Sequence, residues 1–218
     1  FNENAFSGLW KSALEMHFRQ FISDKSDTLS GKLIISEKNA GTTNISPSLS
    51  PDGKYLAFFS EKNIFTLDLF LADAITGKII KRLSSTVRNN EIDDFNFIES
   101  AGTWSPDSKK FAFVVFSKGK NKLAIVDVTK ARITKKISIN GVPSFSNPAW
   151  SPDGKKIVVA GLVDGINDLY MYYLESGRVE KLTDDFTSNL HPSWSSDGNY
   201  IVFSQEKINK GLSRRKYS

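Results

Sequence analysis

The residues able to do chemistry recur in one short phrase. Asp52, Asp107, Asp153 and Asp197 each stand two places after a serine. They lie in Ser50-Pro51-Asp52-Gly53, Ser105-Pro106-Asp107-Ser108, Ser151-Pro152-Asp153-Gly154 and Ser195-Ser196-Asp197-Gly198. Carboxylates that converge can hold a divalent cation, and Ser, Asp and His together can form a nucleophile, its orienter and its base. The sequence offers little else for either chemistry. Its histidines are His17 and His191, too far apart for a helical metal pair, and there is no His-Glu-x-x-His. No Gly-x-Ser-x-Gly elbow is present. With no cysteine, a thiolate zinc site, a disulfide framework and a cysteine nucleophile are excluded. Asp164-Gly165-Ile166-Asn167-Asp168 starts like a calcium loop but lacks the full spacing and terminal Glu, so it reads as a strand-connecting turn. No cofactor is implied.

The elements that carry these aspartates explain them. Each phrase is followed by an apolar run, at Tyr55–Phe59, Phe111–Phe116, Ile157–Ala160 and Tyr200–Phe203. The serines are spaced 55, 46 and 44 residues apart, and the last two intervals fit one four-stranded propeller blade of ~40–45 residues. The expected fold is therefore all-β: a β-propeller of four-stranded antiparallel blades over 31–206, with about three and a half blades present as an open or partial ring. The blades span 45–85, 101–140, 146–183 and, in part, 191–204. The first interval is longer because Thr86–Ser100 is inserted, carrying Glu91, Asp93, Asp94 and Glu99 beside Phe95 and Phe97. Lys32–Ser36 reads as the last strand of a unit whose other strands lie elsewhere. Equivalent aspartates on different blades point to different sectors of a ring, so they cannot share an ion. Pro51, Pro106 and Pro152 preset a type I turn, Asp52, Asp107, Asp153 and Asp197 bond the backbone ahead, and Gly53, Gly154 and Gly198 accept a positive φ. Trp104, Trp150 and Trp194, with Leu49 in the first copy, sit where a large side chain wedges adjacent blades. Alanine at Trp150 is expected to cost roughly 3–5 kcal/mol.

Residues 1–30 differ. Phe6, Leu9, Trp10, Ala13, Leu14, His17, Phe18, Phe21 and Ile22 recur at helical spacing, predicting an amphipathic helix over 1–23 and then a linker. Lys207, Lys210, Arg214, Arg215 and Lys216 make 207–218 a basic tail. The formal charge of +5 is otherwise scattered, which argues against nucleic-acid binding. No apolar run approaches the ~20 residues that span a bilayer, so no direct membrane insertion is expected. A chain beginning at Phe1 without a leader reads as a piece of something longer or a processed form.

The remaining chemistry is binding. The innermost strand of a propeller blade lines the channel, so Ser46, Ala101, Asn147 and His191 should lie near one of its mouths. The loops entering those strands carry Asn89, Asn90, Asp93, Asp94, Glu99, Ser144, Phe145, Asp184, Asp185 and Asn189, an acidic and amide-rich set. His191 can contact a ligand or change charge near neutral pH. A protein or peptide partner at this face is the expectation, with further blades or a neighbouring chain covering the open sides.

Pro148-Ala149-Trp150-Ser151-Pro152-Asp153-Gly154-Lys155-Lys156-Ile157-Val158-Val159 resembles the repeat of TolB-type β-propellers. Asn167-Asp168-Leu169-Tyr170-Met171 is similar to that family's third-strand phrase, and Lys181-Leu182-Thr183 to its blade ending. The resemblance runs over about 32–204 and implies a ring usually of six blades, located in the bacterial periplasm or envelope. The same repeat serves periplasmic TolB, propeller halves of prolyl-oligopeptidase-type peptidases and other envelope proteins. It therefore implies either a non-catalytic binding scaffold or an accessory domain of a larger peptidase-type enzyme, with no catalytic signature in this chain.

Overall fold

The computed structural model describes residues 12–14, 16–17, 31–63, 66–85, 92–95 and 102–206. The chain divides into two compact units, Phe1–Leu33 and Ile34–Ser218. In the first, residues 12–14, 16 and 17 are α-helical, with Leu14 and Met16 exposed. The rest of the expected helix and the basic tail at 207–218 lie outside the described residues.

The second unit is built of antiparallel sheets that follow the chain. Blade one is β1 (Asn44–Leu49), β2 (Tyr55–Asn63), β3 (Thr66–Asp73) and β4 (Ile79–Ser84). Blade two comprises β5 (Asp94–Phe95), β6 (Thr103–Trp104), β7 (Lys110–Ser117), β8 (Lys120–Asp127) and β9 (Arg132–Ile137). Blade three is β10 (Ser144–Trp150), β11 (Lys156–Val163), β12 (Ile166–Tyr173) and β13 (Val179–Lys181). Two strands, β14 (Ser188–Trp194) and β15 (Ile201–Glu206), form the fourth sheet. First strands of successive blades lie against one another, which makes them the innermost strands.

Two expectations differ from the structure. Blade two starts before residue 101, because Asp94 and Phe95 pair with Phe116 and Val115 of β7. Two short strands, β5 and β6, are both bonded to β7 in the place of a single first strand. Phe95 is buried against Phe59 and Phe113, ring centroids 5.4 and 5.9 Å away, so this stretch supplies core. Residues 32–36 form no strand. The Asn39 side chain closes this segment into a turn: its Nδ2 donates to the carbonyls of Ile34 (2.8 Å) and Gly77 (3.0 Å), and its Oδ1 accepts from Ser36 N (2.8 Å). Ile35 and Ala40 then pack on Phe58, Phe70 and Ala72 of blade one.

The core lies between blades, so the middle strands are buried on both faces. Phe59, Leu69 and Leu71 meet Phe111, Phe113 and Val126 between blades one and two. Ala112, Leu123 and Ile125 meet Ile157, Val159 and Tyr170 between two and three. Val158, Leu169 and Met171 meet Leu190, Trp194 and Ile201 between three and four. Gly161 is the close approach within β11: a Cβ there would stand 2.4 Å from Val142 and 2.6 Å from the Tyr170 ring.

The repeated phrase forms one turn four times. The serine hydroxyl donates to the aspartate at 2.6, 2.6, 2.5 and 2.5 Å, while accepting from the N–H of Tyr55, Lys110, Lys156 or Tyr200 at 2.9 Å. That bond is the main reason Asp52, Asp107, Asp153 and Asp197 are held below the ordinary carboxylate value. Ser108 takes the glycine place with a φ of 58°, and its Oγ accepts from the N–H of Asp52 in the previous blade at 3.2 Å. The tryptophans differ. Trp104 and Trp194 donate Nε1–H to Ser48 and Ala149 of the preceding blade at 3.0 and 3.1 Å, whereas Trp150 donates to Gly154 of its own turn.

Candidate functional site

Three innermost strands share one irregularity. The ladder slips between Ile45 and Ser48, between Ser146 and Ala149, and between Leu190 and Ser193. The residues at the slip are Ser46-Pro47, Asn147-Pro148 and His191-Pro192. Proline has no N–H to give the ladder, so the slip falls where a donor is missing. Ser46, Asn147 and His191 have φ of 52, 48 and 52°, a left-handed conformation that costs a non-glycine residue roughly 1–2 kcal/mol. Strain of this kind persists only where the surroundings impose it.

A bulge turns side chains out of strict alternation. Asn147 and His191, 44 residues apart, thereby line one cleft of about 420 Å³. Its other walls are Ser144, Phe145, Ser146, Ala160, Leu162, Asn167 and Leu190. Asn121 of β8 donates to the Phe145 carbonyl at 2.9 Å and anchors β10 to blade two. The Ser146 hydroxyl donates to Asn147 Oδ1 at 3.1 Å. His191 Nδ1 is 3.0 Å from Ser204 Oγ, and that hydroxyl donates to the Leu190 carbonyl at 3.1 Å. The one hydroxyl proton is thus engaged, so the ring donates from Nδ1 and, when neutral, keeps Nε2 as an acceptor. The cleft offers hydroxyls, amides and one imidazole above an apolar lining. That set suits polar main-chain groups flanked by small apolar side chains.

The expected acidic partners do not join it. Asp93 accepts from the N–H of Lys118 at 2.6 Å, and Asp94 from that of Phe95 at 2.7 Å. Asp184 pairs with Lys181, which also reaches Asp168 at 2.9 Å, and these two carboxylates raise the Lys181 pKa. Asp185 accepts from Thr187, Asn189 and Gln205, bonds that hold it below the ordinary carboxylate value. Ser46 lies in blade one and does not line the cleft. Glu99, Asn89, Asn90 and Ala101 lie outside the described residues. Asn167 and Ser204 were missed by sequence reasoning. Asn167 sits at the start of a strand, and Ser204 acts through a contact 13 residues away.

Ser151, Asp153 and His191 form no set: the first two close the turn after β10 and bond each other, whereas His191 lies in the middle of β14 in the next blade and bonds Ser204. Among the described residues no three His, Asp or Glu side chains gather as a metal site, and no helix is long and apolar enough to cross a membrane. Asp164-Gly165 closes a two-residue hairpin between Val163 and Ile166, with both residues at positive φ.

A family model described as the TolB beta propeller domain matches residues 88–211. An uncharacterized protein of Agrobacterium fabrum is 30% identical over 161 residues, covering 74% of this chain and 50% of that protein. The Tol-Pal system protein TolB of Ruthia magnifica is 28% identical over 171 residues, covering 73% and 40%. Among solved structures, TolB from Acinetobacter baumannii superposes with a TM-score of 0.64 at 22% identity, covering 82% of this chain and 41% of that one. A prolyl endopeptidase chain gives 0.52 at 18% identity, covering 91% and 31%. The chain spans half or less of the length of these curated relatives.

Proposed function

The chain belongs to the TolB β-propeller domain family, and from that membership we propose that it is a non-catalytic scaffold binding a protein or peptide through the cleft of Asn147 and His191. The observation that carries this reading is the repeated left-handed bulge, which directs Asn147 and His191 from neighbouring blades into one cleft. Backbone strain kept at residues that pack no core is consistent with a recognition role. A peptide strand is a fitting ligand, since its main-chain groups match the hydroxyls, amides and imidazole of the walls. Periplasm or cell envelope is the location in keeping with relatives named TolB.

The experiment is site-specific photo-crosslinking in the source cell. A photoreactive residue at Asn147 or His191 should trap one defined partner, and the same residue at Lys78, exposed in blade one, should not. Equal trapping from both positions, or trapping only from Lys78, refutes the reading. A second reading, an accessory propeller of a peptidase-type enzyme, draws on the likeness to the prolyl endopeptidase chain. A hydrolase domain in the same polypeptide would favour it.

A further inference from the structure

We propose that a second groove, between blades two and three at the opposite end of the strands, binds an acidic peptide segment that carries large apolar side chains. The groove holds about 270 Å³. Its apolar lining is Ile125, Trp150 and Leu174, and Lys110, Lys135 and Lys155 surround it with Glu175 as the single carboxylate. The three lysines are exposed. Among the described residues none of their ammonium groups has an ion pair. The Asp153 carboxylate in the same turn is occupied by Ser151 Oγ and the N–H of Lys155.

The repeat supplies its own controls. Between blades one and two the corresponding groove holds Tyr55 in the place of Lys110, and its lining carries two lysines, Lys81 and Lys109, with two aspartates, Asp52 and Asp107. Lys81, which corresponds to Lys135, donates to the Thr129 carbonyl at 2.8 Å. Between blades three and four, Lys156 corresponds to Lys110 and lies 6.0 and 5.9 Å from the ring centroids of Tyr173 and Trp194. One joint has as many carboxylates as lysines in its lining, and another has its lysine over aromatic faces. The middle joint sets three lysines against one carboxylate around a tryptophan.

Unpaired ammonium groups attract carboxylates, and a concave apolar lining selects an inserted side chain. A flat bilayer surface would meet the lysines without reaching the lining, so a peptide fits better than a membrane. This groove is separate from the cleft of Asn147 and His191.

The test uses the whole chain and a fluorescein-labelled Asp-Glu-Leu-Phe-Asp-Glu peptide, followed by anisotropy at low salt and at about 150 mM NaCl. Saturable binding is expected, weakened about tenfold or more in K110Q/K135Q/K155Q. The variant K38Q/K78Q/K120Q, with the same loss of charge at exposed sites, should bind as the parent does. Serine in place of the peptide's Leu and Phe should also lose about tenfold. Substituting Asn147 and His191 by alanine should leave this affinity unchanged, which separates the two sites. No saturable binding, equal loss in both lysine variants, or indifference to the Leu and Phe changes would overturn the proposal. So would preferential binding to phosphatidylglycerol vesicles.

Discussion

Replacing Trp104 by alanine should cost more stability than the same change at Trp150, although both hold one place in the repeat. Trp104 is 6% exposed, its ring 5.2 Å from Phe111 and 6.5 Å from Tyr55 of the preceding blade. Its Nε1–H also bonds Ser48 across the joint at 3.0 Å. Truncation removes the transfer energy of a buried indole and opens a cavity between blades, roughly 3–5 kcal/mol. Trp150 is only half-buried, lines an open groove and spends its N–H within its own turn. Much of its surface is already wet, so W150A should cost about 2 kcal/mol, less than its sequence position suggests. The gap of ~2 kcal/mol corresponds to melting points about 4–8 °C apart for a chain of this size. W104F keeps most of the apolar contact and should lose about 1 kcal/mol for the hydrogen bond. Urea titrations followed by circular dichroism give the three values. A W150A cost equal to or above that of W104A would refute the claim that burial at the joint, rather than place in the repeat, sets the energy.

The repeated turns predict acid sensitivity. Asp52, Asp107, Asp153 and Asp197 sit below their ordinary value of 3.8, chiefly through the serine hydroxyl. The unfolded chain therefore binds protons first. The stabilisation is fully present above the unfolded value and is lost as pH falls through the folded ones. Melting points measured down the acid range should drop there less steeply in D153N than in the parent, and identical slopes would contradict this. At Ser108, alanine keeps the positive φ of 58° but loses the bond to Asp52, so S108A should cost about 1 kcal/mol. S108G should lie closer to the parent in the same melts, because glycine relieves the backbone while losing that bond.

Repetition made the blades legible. A phrase that recurs with proline, aspartate and glycine in fixed order can only be a turn, and the apolar run after it must be the strand buried on both faces. What repetition could not show was pairing across an interruption. Asp94-Phe95 is two residues long, too short to display alternation, and its partner Val115-Phe116 lies beyond the split in the strand. The segment 32–36 failed in the opposite way. Its composition suits a strand, but a strand needs a neighbour, and Asn39 uses the Ile34 carbonyl to close a turn instead.

The site was half legible for a related reason. Proline after Ser46, Asn147 and His191 was visible, and a proline inside a strand signals a bulge. Equivalent positions on adjacent blades are spatial neighbours, so Asn147 and His191 could be joined by counting. The loop acids could not be assigned this way. Whether Asp185 faces a ligand or its own loop is decided by Thr187, Asn189 and Gln205, and the last is 20 residues away on another strand. A carboxylate that already accepts several hydrogen bonds has little capacity left for a partner. The same comparison marks Lys110, Lys135 and Lys155: the joint they line carries three lysines against one carboxylate, where the joint before it carries two of each, and that excess of positive charge is what a ligand carboxylate can meet.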